Sequence, residues 1–73
     1  MTGGDTARDL LAEALGLAPG EVGEATALES CEAWDSLAHF RIVTALEARL
    51  GRSLDPMEIV GLRGFADVAK LLG

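Results

Sequence analysis

The chain has 73 residues, a length that suits one domain with a small core, so we predict a single domain over residues 1–73. Twelve acidic and six basic side chains give a net charge of -6, which opposes binding to nucleic acid. The one cysteine excludes an internal disulfide, and we find no secretory signal and no apolar stretch of membrane-spanning length, so we expect a cytoplasmic monomer.

The acidic side chains are concentrated in the first half of the chain. Residues 1–35 carry eight acids and one base, a net charge of -7, whereas residues 36–73 carry four acids and five bases, a net charge of +1. A cationic partner surface would therefore be attracted mainly to the first half.

The first predicted element is a helix over Thr6–Leu15, because its apolar residues recur at the spacing of one helix face. Asp5 or Thr6 is expected to cap its start, because short polar side chains accept hydrogen bonds from the free N–H groups there. Gly16 is expected to end the helix in a left-handed conformation.

A long connection follows, from residue 16 to residue 34. Its apolar residues Leu17, Val22 and Leu28 are expected to pack into the core, and a short helical turn is allowed over Leu28–Glu32. Long loops in small domains are often functional, so this connection is a candidate for part of a site.

The second and longest predicted helix covers Ser36–Leu50, with Asp35 as its N-cap and Gly51 as its stop. At about 100° per residue, Leu37 points away from the core and Phe40 lies at the border of the two faces. The predicted core face of this helix consists of His39, Ile42, Val43, Leu46 and Leu50.

The third predicted helix is short, over Pro56–Val60, with Asp55 as its N-cap and Glu58 completing a capping box. A final helix is predicted over Phe65–Leu72. Four helices and no alternating strand pattern predict an all-α fold, a four-helix bundle with a long first loop and a short third helix.

The tetrapeptide Trp34-Asp35-Ser36-Leu37 places a small hydroxyl at the first turn of the longest helix. Free N–H groups and the positive end of the helix dipole converge there, and both would stabilise a phosphate attached to Ser36. From this local chemistry alone, the simpler interpretation is that Ser36 only helps Asp35 to cap the helix.

The tripeptide Asp35-Ser36-Leu37, at the start of the second helix, resembles the Asp-Ser-Leu signature of acyl carrier proteins. The resemblance extends over Thr6–Leu72 and includes the long first loop and the short third helix that opens with Asp55-Pro56. It implies a bundle of the acyl-carrier type in which Ser36, beside Asp35, bears 4′-phosphopantetheine. The arm would be transferred from coenzyme A by a phosphopantetheinyl transferase, and its thiol would hold acyl intermediates as thioesters.

The leading hypothesis is a stand-alone acyl carrier that presents its cargo to loading and downstream enzymes, and the unusual charge of the second helix, described next, favours a dedicated biosynthetic pathway. An aminoacyl or peptidyl carrier would use the same serine, and an unmodified helical protein-interaction module is a third hypothesis. The sequence predicts neither an enzyme nor a metal site, because no pair of titratable residues suggests a mechanism.

Acidic carriers of the family present several carboxylates along the second helix, whereas this helix has only Glu47 against Arg41 and Arg49. We therefore expect partners to contact the loop and the start of the helix, although these charges could also be a solvated face. The residues predicted to take part in partner recognition are Leu37, Phe40, Arg41, Glu47, Glu32 and Trp34.

Three further side chains near Ser36 have a structural interpretation. Trp34 is expected to pack the loop against the bundle, with a position beside the arm as the alternative. His39 is expected to be a buried, hydrogen-bonded residue, and Cys31 a structural thiol.

Overall fold

The computed structural model describes residues 3–72, and the side chains of residues 6–72. Within that range the chain folds into α1 (Gly3–Leu15), α2 (Ser36–Leu50), α3 (Pro56–Val60) and α4 (Phe65–Leu72), with a 3-10 turn at Pro19–Glu21. The prediction of an all-α bundle with a long first loop and a short third helix is confirmed. Helix α1 packs against both α2 and α4.

The start of α1 differs from the prediction. The helix begins at Gly3, so Asp5 and Thr6 lie inside it, and the predicted cap at either residue is wrong. An acidic residue is also favourable in the first turn of a helix, where it opposes the positive end of the dipole, so Asp5 does not have to mark the boundary.

The end of α1 is as predicted. Gly16 has a φ of 72°, and this left-handed conformation favours glycine. The N–H of Leu17 donates to the carbonyl of Ala12 at 2.9 Å, and the N–H of Gly16 donates to that of Glu13 at 3.4 Å. This pair of bonds stops the helix and turns the chain into the first loop.

The core is apolar, and no polar or charged residue is buried among those that the structure describes. The first loop contributes to it, because Val22 is buried and Leu17 and Leu28 pack partly against it, as predicted. The most completely buried large side chains are Leu11, Ile42, Leu46, Leu62 and Val68.

The first loop is also paired with the segment before α4, a contact that the sequence did not predict. The N–H of Leu28 donates to the carbonyl of Arg63 at 2.8 Å, and the N–H of Phe65 donates to that of Thr26 at 2.9 Å. These bonds form an isolated antiparallel bridge between Ala27 and Gly64. The short helical turn allowed over Leu28–Glu32 is present as a single hydrogen-bonded turn, in which the N–H groups of Ser30 and Cys31 donate to the carbonyl of Ala27 at 3.1 and 2.9 Å.

The start of α3 has the predicted capping box. The carboxylate of Asp55 accepts the N–H of Glu58 at 3.0 Å, and the carboxylate of Glu58 accepts the N–H of Asp55 at 3.1 Å. The guanidinium of Arg52 adds two parallel hydrogen bonds to Glu58, each 2.9 Å long. The hydrogen bonds from Arg52, with that from the Asp55 backbone, lower the pKa of Glu58 to about 2.

This lowered pKa predicts a pH dependence of stability. A carboxyl whose pKa is lower in the folded than in the unfolded chain stabilises the fold above its unfolded value and loses that effect at lower pH. Stabilisation by Glu58 should therefore be complete above its ordinary pKa of 4.5 and disappear as the pH falls through about 2. We expect Glu58→Gln to lose this part of the pH dependence, measured as the free energy of unfolding in urea at a series of pH values.

The control for the loss of one carboxylate is Glu29→Gln, because Glu29 is exposed in the first loop. The two variants are compared with the unchanged chain over the same pH range. If Glu58→Gln loses stability in acid as steeply as the unchanged chain does, the lowered pKa of Glu58 is not the cause of this pH dependence.

Candidate functional site

The N-terminus of α2 is capped by Asp35, as predicted. Asp35 has extended backbone angles, and its carboxylate accepts the N–H of Ala38 at 2.9 Å, while its carbonyl accepts the N–H of His39 at 2.9 Å. The N–H groups of Ser36 and Leu37 have no acceptor within the described part of the chain. They remain free to bind an acceptor from outside, such as a phosphate oxygen.

Ser36 is the first residue of α2, and it is exposed. Its hydroxyl makes no hydrogen bond to residues 6–72, so Asp35 alone supplies the side-chain cap. The interpretation of Ser36 as a helper of the cap is therefore not supported. The hydroxyl faces solvent beside an open depression of about 450 Å³, which is lined by Leu28, Trp34, Asp35, Ser36 and His39.

Trp34 fills the space between the loop and the bundle. Its side chain is only 2 % exposed, which confirms the packing interpretation. The prediction that Trp34 contacts a partner directly is wrong, because a buried indole has almost no surface to offer. A large aromatic side chain removes much apolar area from water when it packs in this way, and that gain favours burial here.

The prediction for His39 is confirmed for its hydrogen bonds, whereas its burial is only partial. The residue is half-buried, and both ring nitrogens are within 3.1 Å of a hydrogen-bond partner, the indole nitrogen of Trp34 and the carbonyl of Ile59. Cys31 is also half-buried and packs partly against the core as a free thiol, in agreement with a structural role.

The exposed side of α2 begins directly after Ser36. Leu37 is 59 % exposed and Phe40 is 67 % exposed, as predicted for contact residues. We define the outer face of α2 by five of its exposed residues, Leu37, Phe40, Arg41, Thr44 and Ala48. On the opposite side Ile42, Val43 and Leu46 are buried, while His39 and Leu50 are half-buried.

The charged side chains predicted for recognition differ in their availability. Arg41 is exposed on the outer face of α2, and Glu32 is exposed in the loop before it. Glu47 is half-buried, and its carboxylate accepts the N–H of Leu54 at 2.8 Å, which ties α2 to the loop before α3. The exposed charges of α2 are therefore Arg41 and Arg49, both basic.

Two exposed apolar side chains on α3 were missed by the sequence reasoning. Met57 is 81 % exposed and Val60 is 73 % exposed. They are three residues apart and so lie on the same face of the short helix. A helical wheel of α3 could have found them, because it puts Ile59 alone toward the core.

Two searches for other kinds of site gave no candidate. Within residues 3–72, no helix is both long enough and apolar enough to cross a membrane. Across the same part of the chain, no group of three or more histidine, cysteine, aspartate or glutamate side chains is arranged to hold a metal ion. The start of α2 remains the best-supported candidate site.

The comparison with protein families concerns the chain as a whole. A family model described as "Phosphopantetheine attachment site" matches residues 5–72, nearly the whole chain. No curated protein matches the chain. Carrier domains of this family are non-catalytic tethering proteins that act with transferases and biosynthetic enzymes. The chain belongs to the phosphopantetheine-attachment family of carrier proteins, whose members bear a covalently attached 4′-phosphopantetheine arm.

Proposed function

We propose that the chain is an acyl carrier protein and that Ser36 is the residue that bears the arm. The observation that supports this most directly is the exposed Ser36 hydroxyl, which is free of hydrogen bonds to residues 6–72 at the first position of α2. The free N–H groups of Ser36 and Leu37 and the positive end of the helix dipole fit the phosphodiester that would form there.

The attachment reaction requires little from the carrier. A phosphopantetheinyl transferase would join the Ser36 oxygen to the phosphorus atom that carries the pantetheine in coenzyme A, and adenosine bisphosphate would leave. The hydroxyl proton would pass to a base of the transferase. The carrier supplies an accessible oxygen and a surface for recognition, and the thiol of the arm supplies the thioester chemistry.

The outer face of α2 is the proposed recognition surface. Leu37 and Phe40 present apolar area next to Ser36, and Arg41 adds a positive charge. Glu32 adds a negative charge on the loop side, whereas Glu47 has a smaller part because its carboxylate is bonded to Leu54. A partner that fits this surface has an apolar pocket with an acidic group near Arg41.

We expect Leu37→Ala to raise the KM of the carrier for its transferase about tenfold, with little change in kcat. Loss of an apolar contact at the centre of an interface removes binding energy of about 1–2 kcal/mol. The measurement is the steady-state rate of arm transfer at varied carrier concentration. Ser53→Ala is the control, because Ser53 is exposed in the loop after α2 and lies outside the outer face of that helix. Equal KM values for the two variants would contradict the proposed surface.

The cargo is tested by loading the modified protein. Wild-type protein is first incubated with coenzyme A and a broad-specificity transferase, and then with acyl-loading and with aminoacyl-adenylating enzymes in parallel. Intact mass identifies the thioester that forms. We expect an acyl group, since the Asp35-Ser36-Leu37 signature resembles that of acyl carriers and the basic outer face of α2 favours a dedicated loading enzyme.

The other hypotheses predict different masses in the same experiment. An aminoacyl thioester would replace the acyl proposal with the aminoacyl or peptidyl carrier. Absence of any mass gain with coenzyme A would favour the unmodified interaction module and would contradict the proposed function as a whole.

A further inference from the structure

Both ring nitrogens of His39 are hydrogen-bonded, and the two partners belong to different parts of the fold. The Nε1–H of Trp34 donates to Nδ1 of His39 at 3.1 Å, and Nε2 of His39 lies 3.1 Å from the carbonyl oxygen of Ile59. An indole N–H can only donate and a carbonyl can only accept, so Nδ1 is the acceptor and Nε2 carries the proton. The two contacts together select one neutral tautomer of the ring.

The imidazole therefore connects three elements at one point. Trp34 ends the first loop two residues before Ser36, His39 lies in the first turn of α2, and Ile59 lies near the end of α3. Among residues 6–72, α2 makes one other side-chain hydrogen bond to the segment from residue 52 to residue 60. In that bond the carboxylate of Glu47 accepts the N–H of Leu54. The contact of His39 with Ile59 is the one nearest to Ser36 along α2.

The exposed apolar side chains lie on the elements that His39 joins. Leu37 and Phe40 extend from the first two turns of α2, and Met57 and Val60 extend from α3. A partner that contacts both helices needs them in a fixed relation, because a rigid surface loses less conformational entropy on binding than a mobile one.

We propose that His39 is a positioning residue, which fixes the loop end at Trp34 and the end of α3 against the first turn of α2. In this way it holds the exposed apolar side chains of α2 and α3 in one fixed arrangement for the transferase that modifies Ser36. The proposal rests on the proposed function of Ser36. His39 does not act on the transferred group; it acts through Trp34 and α3.

The test combines transfer kinetics with a spectroscopic measurement. His39→Phe keeps a ring but removes both hydrogen bonds, whereas His39→Gln retains an acceptor and a donor on one side chain. We expect His39→Phe to raise the KM of the carrier for the transferase about tenfold with kcat nearly unchanged, since the hydroxyl of Ser36 and its cap are untouched. His39→Gln should recover part of the wild-type KM.

The chain has one tryptophan, so its indole N–H gives a single resonance in a nitrogen–proton NMR spectrum. We expect that resonance to move upfield in His39→Phe, because the bond to Nδ1 is lost, and to move back in part in His39→Gln. This spectrum needs no transferase, so it tests the hydrogen bond separately from the function.

Val68→Ala is the control for a general loss of stability, because Val68 is fully buried on α4 and its side chain takes no part in the hydrogen bonds of His39 with Trp34 and Ile59. It should keep the wild-type KM and the wild-type indole resonance at a temperature where all variants are folded.

The proposal is overturned if His39→Phe keeps the wild-type KM, if Val68→Ala raises the KM equally, or if the indole resonance does not move. If wild-type protein itself gains no arm, the proposed function fails and the positioning role fails with it, even where the spectra show the hydrogen bond. If wild-type protein is modified and only the His39 results disagree, the proposed function stands and the positioning role alone is rejected.

Discussion

Ser36→Ala is expected to abolish the mass gain of one phosphopantetheinyl group on incubation with coenzyme A and a broad-specificity transferase. The variant removes the oxygen that would form the phosphodiester, so the loss should be complete. The fold should remain, because the Ser36 hydroxyl makes no hydrogen bond within residues 6–72 and Asp35 supplies the cap without it. Intact mass spectrometry measures the modification, and circular dichroism checks the helical content of the variant.

The matched control is Ser30→Ala. Ser30 is also exposed and lies in the first loop before α2, but it is not at a helix start. Its variant should be modified to the same extent as wild type. If Ser36→Ala still gains the arm, or if Ser30→Ala loses it, the proposed attachment residue is wrong.

Trp34→Ala is expected to have the largest effect on stability. Truncation of a buried tryptophan costs about 3–5 kcal/mol, because the apolar burial is lost and a cavity remains. A domain of this size has a total stability of only about 3–5 kcal/mol, so the variant should be largely unfolded at room temperature. The measurement is urea unfolding followed by circular dichroism, since the variant has no tryptophan fluorescence.

Trp34→Phe separates packing from hydrogen bonding at this position. Phenylalanine retains most of the apolar volume but has no N–H to donate to His39, so we expect a folded protein with a smaller loss, about 1–2 kcal/mol. A Trp34→Ala variant that unfolds at the urea concentration of wild type would show that the buried indole contributes little to the fold.

Where capping signals are strong, the boundaries of a helix could be predicted from the sequence to the exact residue. Asp35 and Gly51 bound α2, and Asp55 with Glu58 defines the start of α3, because caps act over only a few residues along the chain. The start of α1 was placed too late because Asp5 suits both a cap and a first turn. Local chemistry therefore predicted the boundaries of α2 and the start of α3, where each capping residue had a single interpretation.

Contacts between distant segments could not be predicted from periodicity. The bridge of Ala27 with Gly64, the hydrogen bond of His39 with Ile59, and that of Glu47 with Leu54 each depend on how the helices are packed. These contacts also decide how available a side chain is. Glu47 was predicted to be a surface charge for partners, and its bond to a backbone N–H became evident only when the loop before α3 was in place.

The candidate site was predicted more fully than the rest of the tertiary structure. A helical wheel of α2 was enough to place Leu37 outside, and an N-cap at Asp35 was enough to place Ser36 at the first turn. The wheel put Phe40 only at the border of the two faces, whereas the structure leaves it exposed. No face was predicted for the short helix α3, so the exposed Met57 and Val60 were missed.

The bridge between Ala27 and Gly64 limits where a carrier of this fold can be mobile. The connection between α1 and α2 is held at its middle by the segment before α4, and by Val22 and Trp34 on either side of that point. A loop that is held at these points cannot carry cargo from one enzyme to the next by its own motion. Movement of the cargo between partner enzymes must then depend on the length of the phosphopantetheine arm and on diffusion of the whole protein, while the polypeptide stays rigid.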